Sequence, residues 1–98
     1  MPTSQNPNQQ QLQIKADDAT LKGVYANAMQ VQHSKEEFVI DFMNLFQPAG
    51  TLNARVIVSP GHAKRMIAAL TENMARYEGS FGQVEPAKEQ DTGIGFHI

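Results

Sequence analysis

The sequence predicts an α+β domain: a small antiparallel sheet of about four strands, in the order β-β-β-β-α, with one C-terminal amphipathic helix packed on one sheet face. Three observations predict it. Four short segments place side chains on alternating faces with the period of a strand, the third of them apolar on both faces. Ser59-Pro60 then opens a stretch whose apolar residues recur at intervals of three and four, the period of a helix. Finally, 98 residues suit one domain and leave no room for two.

The elements follow in order. Residues 1–11 (MPTSQNPNQQQ) are polar and aperiodic and read as a disordered tail. Leu12, Ile14 and Ala16 alternate with polar residues as a first strand, and residues 17–23 (DDATLKG) read as a loop. A second strand, residues 24–33, places Tyr25, Asn27, Met29, Val31 and His33 on one face. With a two-residue turn at Ser34-Lys35, Val31 faces Phe38, Met29 faces Ile40 and Asn27 faces Phe42.

The third strand, residues 37–46, is apolar on both faces: Phe38, Ile40 and Phe42 on one, Val39, Met43 and Leu45 around Asp41 on the other. After QPAG, residues 52–58 form a fourth strand with Leu52, Ala54, Val56 and Val58 on one face and Asn53, Arg55 and Ile57 on the other. The helix begins with Ser59 as cap and Pro60 at the first helical position. Ala63, Met66, Ile67, Leu70, Met74 and Tyr77 form its apolar stripe, Glu72 and Arg76 an i,i+4 pair, and Gly79 is placed to end it, with Phe81 folding back. The domain thus spans residues 12–82. Residues 83–98 read as a flexible tail, although Ile94, Phe96 and Ile98 alternate in strand fashion.

Composition narrows the function. There is no cysteine, which excludes disulfides, a thiolate nucleophile and Cys-ligated zinc, and fits a reducing, cytoplasmic setting. No run of about 18 apolar residues spans a membrane, and the N-terminus lacks the apolar core of a secretory signal. A net charge of −2 argues against a dedicated nucleic-acid binder, whose affinity comes largely from neutralised phosphates.

No motif is specific for catalysis, so no enzyme, cofactor or metal is expected. His33, His62 and His97 are far apart, and no ligand pair has helical or hairpin spacing. Asp17 and Asp18 lack the other ligands of a calcium loop and read as solvated turn residues. Ser59, Gly61, His62, Lys64 and Arg65 form a candidate anion site, because a helix N-terminus presents free N–H groups. Capping alone explains the serine and the proline. Asp41 lies across from Arg55, which points to a cross-strand ion pair in place of a catalytic acid. Asn27 must find partners and is expected to bond backbone near a sheet irregularity.

A domain of this size hides only about 60–65% of its unfolded surface and gains from a staple or a partner. Val24, Ala26, Ala28, Val39, Asp41, Met43, Leu45 and Arg55 would form an apolar patch opposite the helix, the candidate oligomer interface. The leading expectation is therefore a non-enzymatic binding or assembly module acting as a homo-oligomer. Rivals are a holdase-like peptide binder using Met29, Met43, Met66 and Met74, and a small-ligand sensor at residues 59–65.

Tyr25-Ala26-Asn27, Glu37-Phe38-Val39-Ile40-Asp41-Phe42, Ala54-Arg55-Val56-Ile57-Val58-Ser59-Pro60, His62-Ala63-Lys64-Arg65 and Glu72-Asn73 together resemble a family of short prokaryotic proteins, from bacteria and archaea, catalogued as a domain of unknown function. The resemblance covers about residues 12–84. It implies no activity, substrate or cofactor, and carries over no functional residue. In element order alone the chain is also similar to the bacterial export chaperone SecB, a likeness that makes a binding role conceivable.

Overall fold

A computed structural model describes residues 11–88. Its elements are α1 (Asp18–Lys22), β1 (Ala28–His33), β2 (Phe38–Phe46), β3 (Ala49–Val58) and α2 (Pro60–Phe81). The three strands form one antiparallel sheet in the order β1-β2-β3, so the fold class is α+β as expected, with three strands in place of about four. The expected first strand is missing because alternation supplies a face but no hydrogen-bonding neighbour. Leu12 and Ile14 stand 85% and 86% exposed in a stretch without regular structure. Residues 17–23, expected as a loop, hold the short helix α1. Asp17 caps it by accepting the Thr20 N–H at 2.8 Å, and Gly23 closes it at φ +78°.

The β1–β2 connection is longer than expected, which corrects the pairing. Four residues, Ser34 to Glu37, make the turn. The Ser34 N–H donates to the Glu37 carbonyl, and the Ser34 hydroxyl accepts the N–H groups of Glu36 and Glu37. His33 therefore pairs with Phe38, Val31 with Ile40 and Met29 with Phe42. The shift is two residues, so every side chain keeps its expected face. The His33 and Phe38 rings stack at 5.3 Å beside the turn.

A bulge revises β3. Phe42 pairs with Ala54 but Met43 with Leu52, leaving Asn53 as the extra residue. Leu52 thereby joins the face of Arg55 and Ile57 and leaves that of Ala54, Val56 and Val58. The β2–β3 turn runs through Gln47-Pro48, joined by a cis peptide bond. At Gly50 any Cβ would lie 2.7 Å from the Leu45 side chain and 3.2 Å from the Asn44 carbonyl, so only glycine fits without displacement.

Helix α2 starts as expected. Ser59 accepts the His62 N–H at 3.1 Å, and Pro60 occupies the first turn. It ends later than expected. Gly79 remains helical, the Tyr77 and Phe81 rings meet at 4.9 Å, and Gly82 at φ +94° stops the helix.

The larger departure concerns packing. Among the described residues the buried apolar side chains are Ile40, Met43 and Ala63. The expected cover of helix on sheet is confined to the start of α2, where Ala63 is buried and Met66 partly so. Farther along, Ile67 and Leu70 are 64% and 69% exposed, and Met74, Tyr77 and Phe81 are exposed as well. On the sheet face expected beneath the helix, Ile40 is buried, whereas Met29, Val31 and Val56 on the flanking strands are exposed. A 22-residue helix is about 33 Å long, and the sheet meets only its first turns.

Candidate functional site

The most organised polar group lies across the sheet centre. The strand register aligns Gln30 on β1, Asp41 on β2 and Arg55 on β3 in one row of one face. Asp41 and Arg55 make a two-point ion pair, Nε to Oδ1 at 2.7 Å and Nη2 to Oδ2 at 2.9 Å. The hydrogen bonds from Arg55, aided by its positive charge, outweigh desolvation and hold the Asp41 carboxyl below the usual carboxylate range. The same bonds raise Arg55 above its ordinary value. Such a carboxylate is an acceptor already filled by its partner, and acid–base work would require that pair to break. Arg55 leaves about half its side chain in contact with solvent while Asp41 is buried. Beside them the Gln30 Oε1 is buried with no hydrogen-bond partner among the described residues.

Around this row the expected interface residues divide. Asp41 and Met43 are buried within the single chain, Met43 at 2% exposure, and Ala26, Ala28, Val39 and Leu45 are partly buried. Val24 is exposed. Met43 is thus closed off by its own chain and is not free to be offered to a partner.

The chain entering β1 is tied to the far half of β2. The Asn27 side chain donates to the Leu45 carbonyl at 2.9 Å and accepts the Leu45 N–H at 2.7 Å, and the Asn27 N–H donates to the Met43 carbonyl. This side chain substitutes for a further pair of sheet bonds, the backbone role expected of it. The Asn53 amide at the bulge donates to the Tyr25 carbonyl, tying the segment before β1 toward β3. Sequence reasoning missed Asn53 and Gln30. A bulge has no signature in alternation, and Gln30 is one polar residue on a mixed strand.

The helix start brings its five candidate residues together only in part. The Ser59 hydroxyl is engaged as a cap, and the His62 Nδ1 lies 3.2 Å from Arg65 Nη2. Gly61 has open space around it, and Lys64 is exposed. Asp17 and Asp18 belong to α1, and the hydrogen bonds from Thr20 hold the Asp17 carboxyl low. Among the described residues no group of three His, Asp or Glu side chains is placed to hold a metal ion, and no helix is long and apolar enough to cross a membrane.

The second feature is the row Ile67, Leu70, Met74, Tyr77 and Phe81. Leu70, Asn73, Met74, Arg76, Tyr77 and Phe81 line a shallow depression along it. The row has no polar centre for chemistry. It can form contact surface.

No curated protein and no solved structure matches the chain. A family model described as "Protein of unknown function (DUF3467)" matches residues 1–86, which cover nearly all of the described fold and the expected resemblance, and the chain belongs to that family.

Proposed function

We propose that the chain is a non-enzymatic binding and assembly module that works as a homo-oligomer in the cytoplasm. The observation that carries this reading is the bare apolar row of α2: four turns of large side chains face solvent in the single chain. Contiguous apolar surface of this extent marks an interaction site. The filled Asp41–Arg55 pair supports a structural use of the best polar cluster.

Sedimentation equilibrium of the full chain at micromolar concentration tests the reading. A dimer or larger assembly is expected, and a well-folded monomer would defeat it. A second reading, a holdase-like peptide binder, is favoured by the exposed thioethers of Met29 and Met74. It predicts saturable binding of unfolded apolar peptides that competes with self-association. The ligand-sensor reading at residues 59–65 predicts phosphate-specific thermal stabilisation, absent with chloride at equal ionic strength and lost in the Lys64→Ala, Arg65→Ala double variant.

A further inference from the structure

Resting on the homo-oligomer reading, we infer that α2 pairs with α2 of a second copy, antiparallel, along the seam Ile67, Leu70, Met74, Tyr77 and Phe81. The spacing within that row is three, four, three, four. This is the heptad spacing of a two-helix seam and is narrower than the stripe by which a helix covers a sheet. Ala63, four residues before Ile67, continues the row into the base of the helix, where it is buried. The helix therefore uses its first turns within its own chain and presents the following heptads outward. The Glu72–Arg76 pair lies off the seam, on the outward side.

Charge and size choose the direction. Lys64 and Glu78 both flank the row on the same side, two heptads apart. In an antiparallel pair centred near Glu72 each Lys64 comes beside Glu78 of the other copy, giving two opposite-charge pairs. In a parallel pair the flanking positions that meet are Met66 with Thr71 and Asn73 with Glu78, and no opposite charges meet. Glu78 is held for this role. It is partly buried, and one carboxylate oxygen accepts the Val84 N–H at 3.0 Å, while the other has no hydrogen-bond partner among the described residues. Among the described residues Lys64 makes no ion pair. The antiparallel alignment also sets Leu70 against Met74, Ile67 against Tyr77, and bulky Phe81 level with small Ala63. Parallel alignment would stack Tyr77 on Tyr77 and Phe81 on Phe81.

The absence of native cysteine lets a single introduced cysteine carry a spin label at a unique place. Labels at Asn73→Cys are expected close together, near the two-fold axis. Labels at Ser80→Cys are expected about 24 Å apart or more, because about sixteen residues at about 1.5 Å separate their levels. Lys64→Glu and Glu78→Lys should each weaken dimerisation about tenfold by sedimentation, and the double reversal should restore it. Leu70→Asp should give a folded monomer by circular dichroism, since Leu70 is largely exposed in the single chain. Equal label distances at the two positions would overturn the antiparallel pairing, and a dimer indifferent to Leu70→Asp would overturn the helix seam. Either result leaves the homo-oligomer reading in place. A native chain that is monomeric and folded at tens of micromolar would overturn that reading as well.

Discussion

The sheet and the helix carry similar apolar patterning but use it differently. On β2, Ile40 and Met43 are buried within the single chain, one on each face of the sheet. On α2, side chains as large as Leu70 and Phe81 remain open along most of the helix. The sheet thus completes its central strand inside one chain, whereas the helix completes only its first turns. Periodicity states which face of an element avoids water. It does not state whether the cover comes from the same chain. A small domain with three buried apolar side chains among its described residues has little margin, so covering the helix by a second copy adds to stability and to function at once.

The largest effect should distinguish these two regions directly. Met43→Ala removes the most deeply buried side chain and should cost about 2–5 kcal/mol, equally at low and high protein concentration. Leu70→Ala should behave otherwise. In dilute, dissociated protein it should cost less than about 0.5 kcal/mol, as a surface change does, with a penalty that grows as concentration rises. Chemical denaturation across a concentration series separates the two. A concentration-independent loss of several kcal/mol at Leu70 would show that the helix row is covered within one chain, and the comparison would fail.

Acid should act on the sheet through the Asp41–Arg55 pair. Asp41 titrates below its ordinary value because Arg55 bonds its charged form. A lowered folded pKa means that the unfolded chain binds the proton first as pH falls. The stabilisation is therefore present above the ordinary Asp value of 3.8 and is lost as pH falls through and below it. Arg55→Gln should lower the melting temperature at neutral pH and flatten the acid limb. An unchanged acid limb in that variant would assign the acid response to other carboxylates.

Much of this arrangement was legible in the residues. The helix start follows from Ser59 and Pro60, the Asp41–Arg55 pair from alternation on adjacent strands, and the family from the combined segments between Tyr25 and Asn73. What was not legible depends on long-range hydrogen bonding. Leu12 and Ile14 alternate as a strand does but find no neighbour. Asn53 bulges and turns Leu52 to the other face, which no local pattern announces. The Ser34 hydroxyl supports a four-residue turn where spacing suggested two. For the candidate anion residues, the sequence could not say whether a second wall of a pocket existed, because that depends on which element lies over the helix start.

The smallest effects test whether α2 is stiff enough to present its row. Ser59→Ala removes the acceptor for the His62 N–H and should cost about 0.5–2 kcal/mol, fraying the first turn where the helix joins the sheet. Arg76→Ala breaks the exposed i,i+4 pair with Glu72 and should cost only about 0.2–0.5 kcal/mol. The two changes act at opposite ends of the helix and on opposite sides of the comparison. Ser59 anchors the part already packed within the chain, so its loss should lower stability at every concentration. Arg76 stiffens the part that stands free, so its loss should appear mainly as increased amide hydrogen exchange in the last turns of dilute protein and should fade once a second helix lies alongside. Exchange measured at two concentrations makes the distinction. If the Arg76 variant exchanged equally fast in both, the distal turns would be uncovered even at high concentration, and the free half of α2 would have to be a solvent-exposed arm with no seam along it.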